Sequence, residues 1–279
     1  MVELSTGKDW VYRAPESGKL ERIEAYFSNH GYDPHRHDTF AIGRTLSGVQ
    51  SFHYRGAMQH SLPGNTIVLY PDEEHDGQAG TQEGFRYRMI YVEPALIQQI
   101  LKGKPLPFIK NGITTDPRLF QATNTLLQQM DCQINPMEED DALYDLAIAL
   151  SETVGQSITN NKSFDYLAAE RAREYINVSL DRNITLDELA EQAGRDRWSL
   201  SRDFRLLFGT SPHRYITMRR LDIVKSCLMQ GESIIDAAMI AGFFDQSHMS
   251  RHFTKTFGLT PFRWKSIHSK NTKRNGTKI

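Results

Sequence analysis

The spacing of apolar residues changes part-way along the chain. Up to about residue 92 it is short and close to alternating, in stretches at 23–27, 39–46, 49–54, 66–70 and 85–92, broken by Gly, Pro and Asp. Alternation places successive side chains on opposite faces, so these stretches predict strands, and several short strands with frequent turns predict an all-β barrel or sandwich. Beyond Pro94 the spacing lengthens to that of helices, at 94–101, 117–130 and 138–158. The last two carry Leu119, Leu126, Leu127 and Met130, then Leu143, Leu146, Ala147 and Leu150, on one helical face each. Such helices would cover one end of the barrel or pair with a second copy of the chain.

The last third contains one helical unit twice. The first copy has Ala193, Gly194, Asp196, Ser201, Arg202, Phe204, Phe208, Gly209, Pro212 and Arg214. The second has Ala241, Gly242, Asp245, Ser250, Arg251, Phe253, Phe257, Gly258, Pro261 and Arg263, offset by 49 residues from the aspartate onward. Punctuation shared over this length marks a duplicated fold unit. Thr185 with Glu188, and Ser233 with Asp236, predict helix starts, while Gly194 and Gly242 permit sharp turns. Asp196 and Asp245 then cap a second helix in each copy. Leu200, Phe204, Leu207 and Phe208 face inward in one, and Met249, Phe253 and Phe257 in the other. Small residues beside the turn let the helices cross steeply, as in a helix-turn-helix.

The outward side of each second helix is polar: Trp198, Ser201, Arg202 and Arg205 in one, Gln246, Ser247, His248, Ser250, Arg251 and Lys255 in the other. Arg bonds two acceptors on guanine, Gln does so on adenine, and Ser, Lys or Arg hold phosphates. The stretch from about 185 to 264 resembles the AraC-type (AraC/XylS) DNA-binding domain, most clearly from Ile234, Ile235, Asp236, Ala237 and Ala238 through Asp245, Gln246, Ser247 and His248 to Thr260 and Pro261. The resemblance implies two helix-turn-helix units, about 185–208 and 233–257, joined by a helix from Pro212 to about Met229. Each second helix would enter a major groove. It also implies DNA contacts from Trp198, Ser201, Arg202, Gln246, Ser247, Ser250 and Arg251, and the polar side of the first helix adds Arg205 as a DNA-binding candidate. Asp203 departs from the pattern, and its charge beside Arg202 would weaken the first copy's grip on phosphate.

Charge divides along the same line. Residues 1–164 hold 14 basic and 21 acidic residues, and 165–279 hold 19 and 13, although the whole chain carries only −1. A basic half behind an acidic one fits one module on DNA and another kept off it. Cys132 and Cys227 alone, in no metal-binding spacing, point to a reducing compartment. The polar N-terminus predicts no signal peptide, and no apolar run reaches membrane-spanning length. A cytoplasmic protein without enzymatic function or cofactor is expected.

Six of the ten histidines, at 30, 35, 37, 53, 60 and 75, fall in the acidic half. His35 and His37 are expected to open one strand and His75 to close another, across the barrel. Residues 20–92 resemble the cupin barrel that serves as sensor in AraC-type regulators, with Gly48, Gly64, Pro71 and His75 at matching kinds of position. A small-molecule pocket there would draw on His37, Arg44, His75, Arg88 and Tyr91. The alternative is a metal held by His35, His37 and His75. Metal-binding cupins usually carry a glutamate just after the paired histidines, whereas this chain has Asp38 to Ile42 and no Glu, so no metal is expected. The expected protein has several domains: a cupin-like barrel with trailing helices (1–158, helices from about 94), a linker (159–168, with Asn160 to Ser163 at its centre), and an all-α double helix-turn-helix domain (169–270). Its expected partners are promoter DNA, a small-molecule effector, RNA polymerase and a second copy of the chain.

Overall fold

The computed structural model describes residues 9–16, 18–155 and 164–266. The proposed linker centre at 160–163, the end of the helix predicted to reach 158, and the basic tail lie outside them. The described residues form two compact units, most of 1–162 and most of 163–279.

The first unit carries two sheets. One runs in the order β1 (Trp10–Arg13), β2 (Glu21–Phe27), β9 (Phe85–Val92), β4 (Phe40–Gly48), β7 (Thr66–Leu69), β10 (Ile113–Thr114). The other runs β3 (His30–His35), β8 (His75–Ala79), β5 (Gln50–Tyr54), β6 (Ala57–Ser61). The paired strands of the larger sheet are antiparallel, with β9 opposite β2 and β4. Alternation along β9 decides what each of its sides meets. Phe85, Tyr87 and Met89 join Ile23, Ala25, Phe27, Ala41, Phe52, Tyr54, Ile67 and Leu69 in the barrel interior. Ile90 and Val92 join Phe40, Ile42 and Val68 on the opposite face, under three helices.

Those helices are α1 (Pro94–Leu101), α2 (Pro117–Leu127) and α3 (Pro136–Thr153). Proline opens each one, where no backbone donor is needed, and Asp116 and Asn135 accept from the first-turn amides of α2 and α3. The end of α2 is tied to the sheet by arginine. Arg22 donates to the carbonyls of Leu126, Gln129 and Cys132, and Arg88 to that of Leu127 at 2.6 Å. The apolar faces of α2 and α3, including Leu119, Leu126, Leu127, Leu143, Leu146 and Leu150, are buried in this core. They are therefore spent within one chain, and the expected interface between copies loses the apolar faces that motivated it.

The strands that alternation does not reveal are mostly edges. β1, β10, β3 and β6 end their sheets. An edge strand is not buried on all sides, so polar residues and even Pro34 in β3 are tolerated. β8, with the sequence HDGQA, is the one interior strand without an apolar signature. His35 closes β3 instead of opening a strand, and His75 opens β8 instead of closing one. Between β7 and β8, Asp72 turns the chain with a left-handed φ of 64°.

The second unit is all helix: α4 (Tyr166–Val178), α5 (Leu186–Ala193), α6 (Arg197–Phe208), α7 (Pro212–Met229), α8 (Ile234–Ile240) and α9 (Gln246–Phe257). The predicted caps form: Thr185 accepts from the Glu188 amide, Ser233 from Asp236 and Asp245 from His248. Gly242 has a φ of 75°, and a Cβ there would lie 2.9 Å from the Leu180 carbonyl oxygen, so the second turn needs glycine on both counts. Met218, Leu221, Val224, Ala237, Ala238, Met249, Phe253 and Trp264 form the core around it. No helix among the described residues is long and apolar enough to cross a membrane.

Leu146 is fully buried in α3, while Tyr144 two residues earlier is 55% exposed. Leu146→Ala is expected to cost about 2–5 kcal/mol in denaturant unfolding, and Tyr144→Ala under about 0.5. A Leu146→Ala loss that vanished at high protein concentration would instead place that face between subunits.

Candidate nucleic-acid interface and barrel site

The second helix of each duplicated unit presents the expected polar side. On α9, Gln246, Ser247, His248, Arg251 and Lys255 are exposed and Ser250 is half-buried. Met249 and Phe253 anchor the opposite side with no exposed surface. On α6, Leu200, Phe204 and Leu207 do the same, and Trp198 and Arg205 are exposed. Trp198 is 71% exposed with the Arg197 guanidinium 5.1 Å from its ring centre, so it belongs to the surface and not to the core.

The two arginines at matching register differ in their surroundings. Arg202 donates Nε and Nη2 to Asp203 Oδ1 at 3.0 and 2.8 Å. The Asp203 side chain has no exposed surface, and it also accepts from Arg195 Nη2 at 2.9 Å and from the Asp165 amide at 3.0 Å. This carboxylate joins the start of α4, the turn before α6 and α6 itself. Arg205 Nη1 is turned onto Ser201 Oγ at 2.5 Å. Asp203, expected to weaken the grip on phosphate by its charge beside Arg202, is instead turned into the fold. Its helical spacing, three residues after Leu200 and four before Leu207, is the signal in the sequence that it points inward, while the roles of Arg195 and Asp165 have none. On α9, His252 stands where α6 has Asp203, and its Nε2 lies 3.0 Å from His248 Nε2.

In the barrel, the five candidate ligand residues do not converge. Arg44 and Arg88, opposite each other on β4 and β9, lie on the helix-covered face. Arg44 stands 5.5 Å from the Phe120 ring centre of α2, and Arg88 also bonds Glu24 at 2.8 Å. Burial, then the Arg88 charge, holds the Arg44 guanidinium below its ordinary pKa. Tyr91 packs instead against the barrel-interior cluster, three residues and one face away from Arg88. Near it Tyr87 donates to Tyr32 Oη at 2.9 Å, and Phe27 and Phe85 pack on the same rings. Burial pushes Tyr87 and Tyr91 well above the usual phenol range, and Tyr54 up to about 12. These phenols are therefore neutral hydrogen-bonding groups among aromatic rings. Alternation from Tyr91 back through Met89 to Tyr87 and Phe85 could have pointed to this set.

His75 is buried at the start of β8, and its Nδ1 donates to the Glu73 carbonyl at 3.0 Å. That bond puts the proton on Nδ1 and leaves Nε2 as the nitrogen with a lone pair. β3 and β8 are neighbours in one sheet, so His75 sits beside β3 and not across the barrel from it. His35, His37 and His75 each bring a ring nitrogen within 4.8 Å of the others.

Comparison with known proteins agrees with both units. A model of the AraC-like ligand binding domain matches residues 17–148, and a helix-turn-helix domain model matches 189–266. The XylDLEGF operon transcriptional activator of Pseudomonas putida is 31% identical across 77% of this chain and 71% of its own length. The uncharacterized HTH-type transcriptional regulator YbfI of Bacillus subtilis is 27% identical across 84% of this chain and 85% of its own. ToxT of Vibrio cholerae shares the fold at a TM-score of 0.63 with 15% identity, over 89% of this chain and 98% of that one.

Asp203→Ala removes charge-assisted hydrogen bonds worth about 1.5–3 kcal/mol from the first helix-turn-helix. Denaturant unfolding is expected to show a loss of that size. No loss would mean that the two arginines and the Asp165 amide find water or other partners equally well.

Proposed function

The chain belongs to the AraC/XylS family of transcriptional regulators, and from that premise we propose that it is a sequence-specific DNA reader whose promoter occupancy is set by a small molecule held in the barrel. The observation that carries the DNA half is the duplicated unit itself. Two capped helices, α6 and α9, present polar, arginine-bearing sides at one register and are joined by an 18-residue helix. That helix is about 27 Å long, a spacer of the order of one turn of duplex. Trp198, Ser201, Arg202, Arg205, Gln246, Ser247, Ser250 and Arg251 are the proposed contact residues.

The effector half rests on Tyr32, Tyr87 and Tyr91 among Phe27, Phe52 and Phe85, which suit a compact apolar molecule with one or two polar atoms. ToxT is described with an unsaturated fatty acid bound and, separately, with a naphthyl-butenoic acid. Apolar carboxylic acids therefore head the panel of candidates. His37 and His75 are proposed at the barrel edge, whereas Arg44 and Arg88 would act on a ligand only through α2. Control requires the effector to bind one arrangement of the chain more tightly than another. The protein acts by binding, in the cytoplasm, with promoter DNA and RNA polymerase as partners. Self-association through these helices would use the outward side of α3, with Met137 and Tyr144, because the inward side is filled.

The histidine cluster favours one other reading of the sensor. His35, His37 and His75, with the His75 Nδ1 proton already committed, have the composition of a site for a first-row transition ion. Thermal melting of the full-length chain against organic acids, sugars, amines, amino acids and divalent metals separates the two. An effector at a hundred times its dissociation constant is expected to stabilise the chain by about 2.7 kcal/mol. A shift produced by zinc or nickel alone, and lost in His37→Ala and His75→Ala, would overturn the organic effector in favour of the ion.

DNA binding is expected to weaken steeply with salt, because phosphate contacts release counterions. Affinity for duplex DNA that does not change between 50 and 200 mM salt would contradict the DNA-reading assignment.

A further inference from the structure

We propose that His248 and His252 form a chelating site for a divalent first-row metal ion on the flank of α9, and that this ion and duplex DNA strengthen each other's binding. The second half rests on the DNA-reading assignment above; the first half stands without it.

Residues four apart share a helix face, and two histidines at that spacing bring two imidazoles to one ion. His248 and His252 have that spacing, with their Nε2 atoms 3.0 Å apart and their ring centres 4.6 Å apart. At metal–nitrogen bonds of about 2.0–2.1 Å, that separation subtends roughly 90–97° at the ion. Such an angle is nearer a right angle than a tetrahedral one, which favours nickel or copper(II) over zinc. The buried Phe243 ring, 5.9 and 6.4 Å from the two imidazole centres, packs against both and restricts them. In the contact between the rings, one Nε2 carries the shared proton. Coordination through both Nε2 atoms moves that proton to Nδ1 of the same ring by way of water, so neither ring changes charge.

The fold does not require this pair. At the 49-residue offset the first copy has Ser199 and Asp203, yet its second helix starts alike. Asp196 accepts from the Ser199 amide as Asp245 does from that of His248. Among the described residues, neither imidazole bonds any other side chain. Burial first, then His248, His213, Arg214 and Arg251 nearby, holds His252 below its ordinary pKa, so its ring is neutral at pH 7. The neighbouring arginines oppose a metal ion and weaken the site when the protein is alone. An ion with two protein ligands also keeps open positions. A phosphate oxygen brought beside α9 by DNA binding fills one of them and offsets the positive charge. Ion and DNA then each raise the affinity for the other by the same factor.

The test is calorimetric titration of nickel chloride into the untagged full-length chain, as wild type, His248→Ala, His252→Gln and His37→Ala. His248→Ala and His252→Gln are each expected to weaken one bound nickel roughly a hundredfold, because the second imidazole of a chelate binds intramolecularly. His37→Ala is expected to keep that nickel, which separates the α9 pair from the barrel histidines. His248 is exposed, so its replacement leaves the core intact, and glutamine keeps a polar group at the half-buried position 252. Nickel binding to His248→Ala and His252→Gln that matches wild type would overturn the site. Saturating nickel is further expected to tighten duplex binding by wild type about fivefold or more, and to leave His248→Ala unchanged. Nickel held by the pair without any change in DNA affinity would overturn the coupling. A chain that binds nickel at the pair but binds no duplex would overturn the DNA-reading assignment and leave the metal site standing.

Discussion

A carboxylate with no exposed surface must be met by donors on several sides, and Asp203 imposes that requirement where three segments of the reader converge. Its oxygens take the Asp165 amide at the start of α4, Arg195 from the turn between α5 and α6, and Arg202 from α6. Each donor comes from a different segment, so the charge can be satisfied only when all three are in place. Hydrophobic burial of Leu200, Phe204 and Leu207 supplies the larger stabilisation, but it is not directional. The buried charge adds orientation, and it fixes one arginine that would otherwise sweep the surface. The second copy reaches the same backbone plan without it, using Met249 and Phe253 in the core and a pair of histidines, His248 and His252, on the flank. One fold unit has thus been kept twice while its surface chemistry has diverged.

The sensor follows a related constraint. Its larger sheet is buried on both sides, so strand parity alone decides whether a residue meets the barrel interior or the helices. Arg22 and Arg88 spend their donors on the last carbonyls of α2, which an α-helix leaves without partners. The interior is left to uncharged groups, the phenols of Tyr32, Tyr87 and Tyr91 among aromatic rings. Specificity for an effector would therefore come from shape and from neutral hydrogen bonds, and cations would act from outside the barrel.

Much of this was legible in the order of residues. The helix-turn-helix units were readable because their signals are local: a cap such as Thr185 or Asp245, a glycine at a turn, and an apolar stripe at helical spacing. The interior strands β4, β7 and β9 were readable because burial makes them apolar. β1, β3, β6 and β10 were not, since edges carry no such signature. The candidate site was legible on α9 and only half so on α6, where the destination of the Arg202 guanidinium depends on Arg195 and Asp165, 7 and 37 residues away. In the barrel, Arg88 and Tyr91 have opposite parity on β9 and so part to different faces of the sheet. Helical spacing marks the apolar faces of α2 and α3, but periodicity does not say whether a face meets its own chain or another.

The central claim, a twin-helix reader of duplex DNA, is tested most directly by selecting bound duplexes from a random pool with the full-length chain. The account predicts an enriched site with two specified segments about one helical turn apart, roughly 10 base pairs centre to centre. Enrichment of no sequence, or of a single short segment with random DNA on both sides, would contradict it.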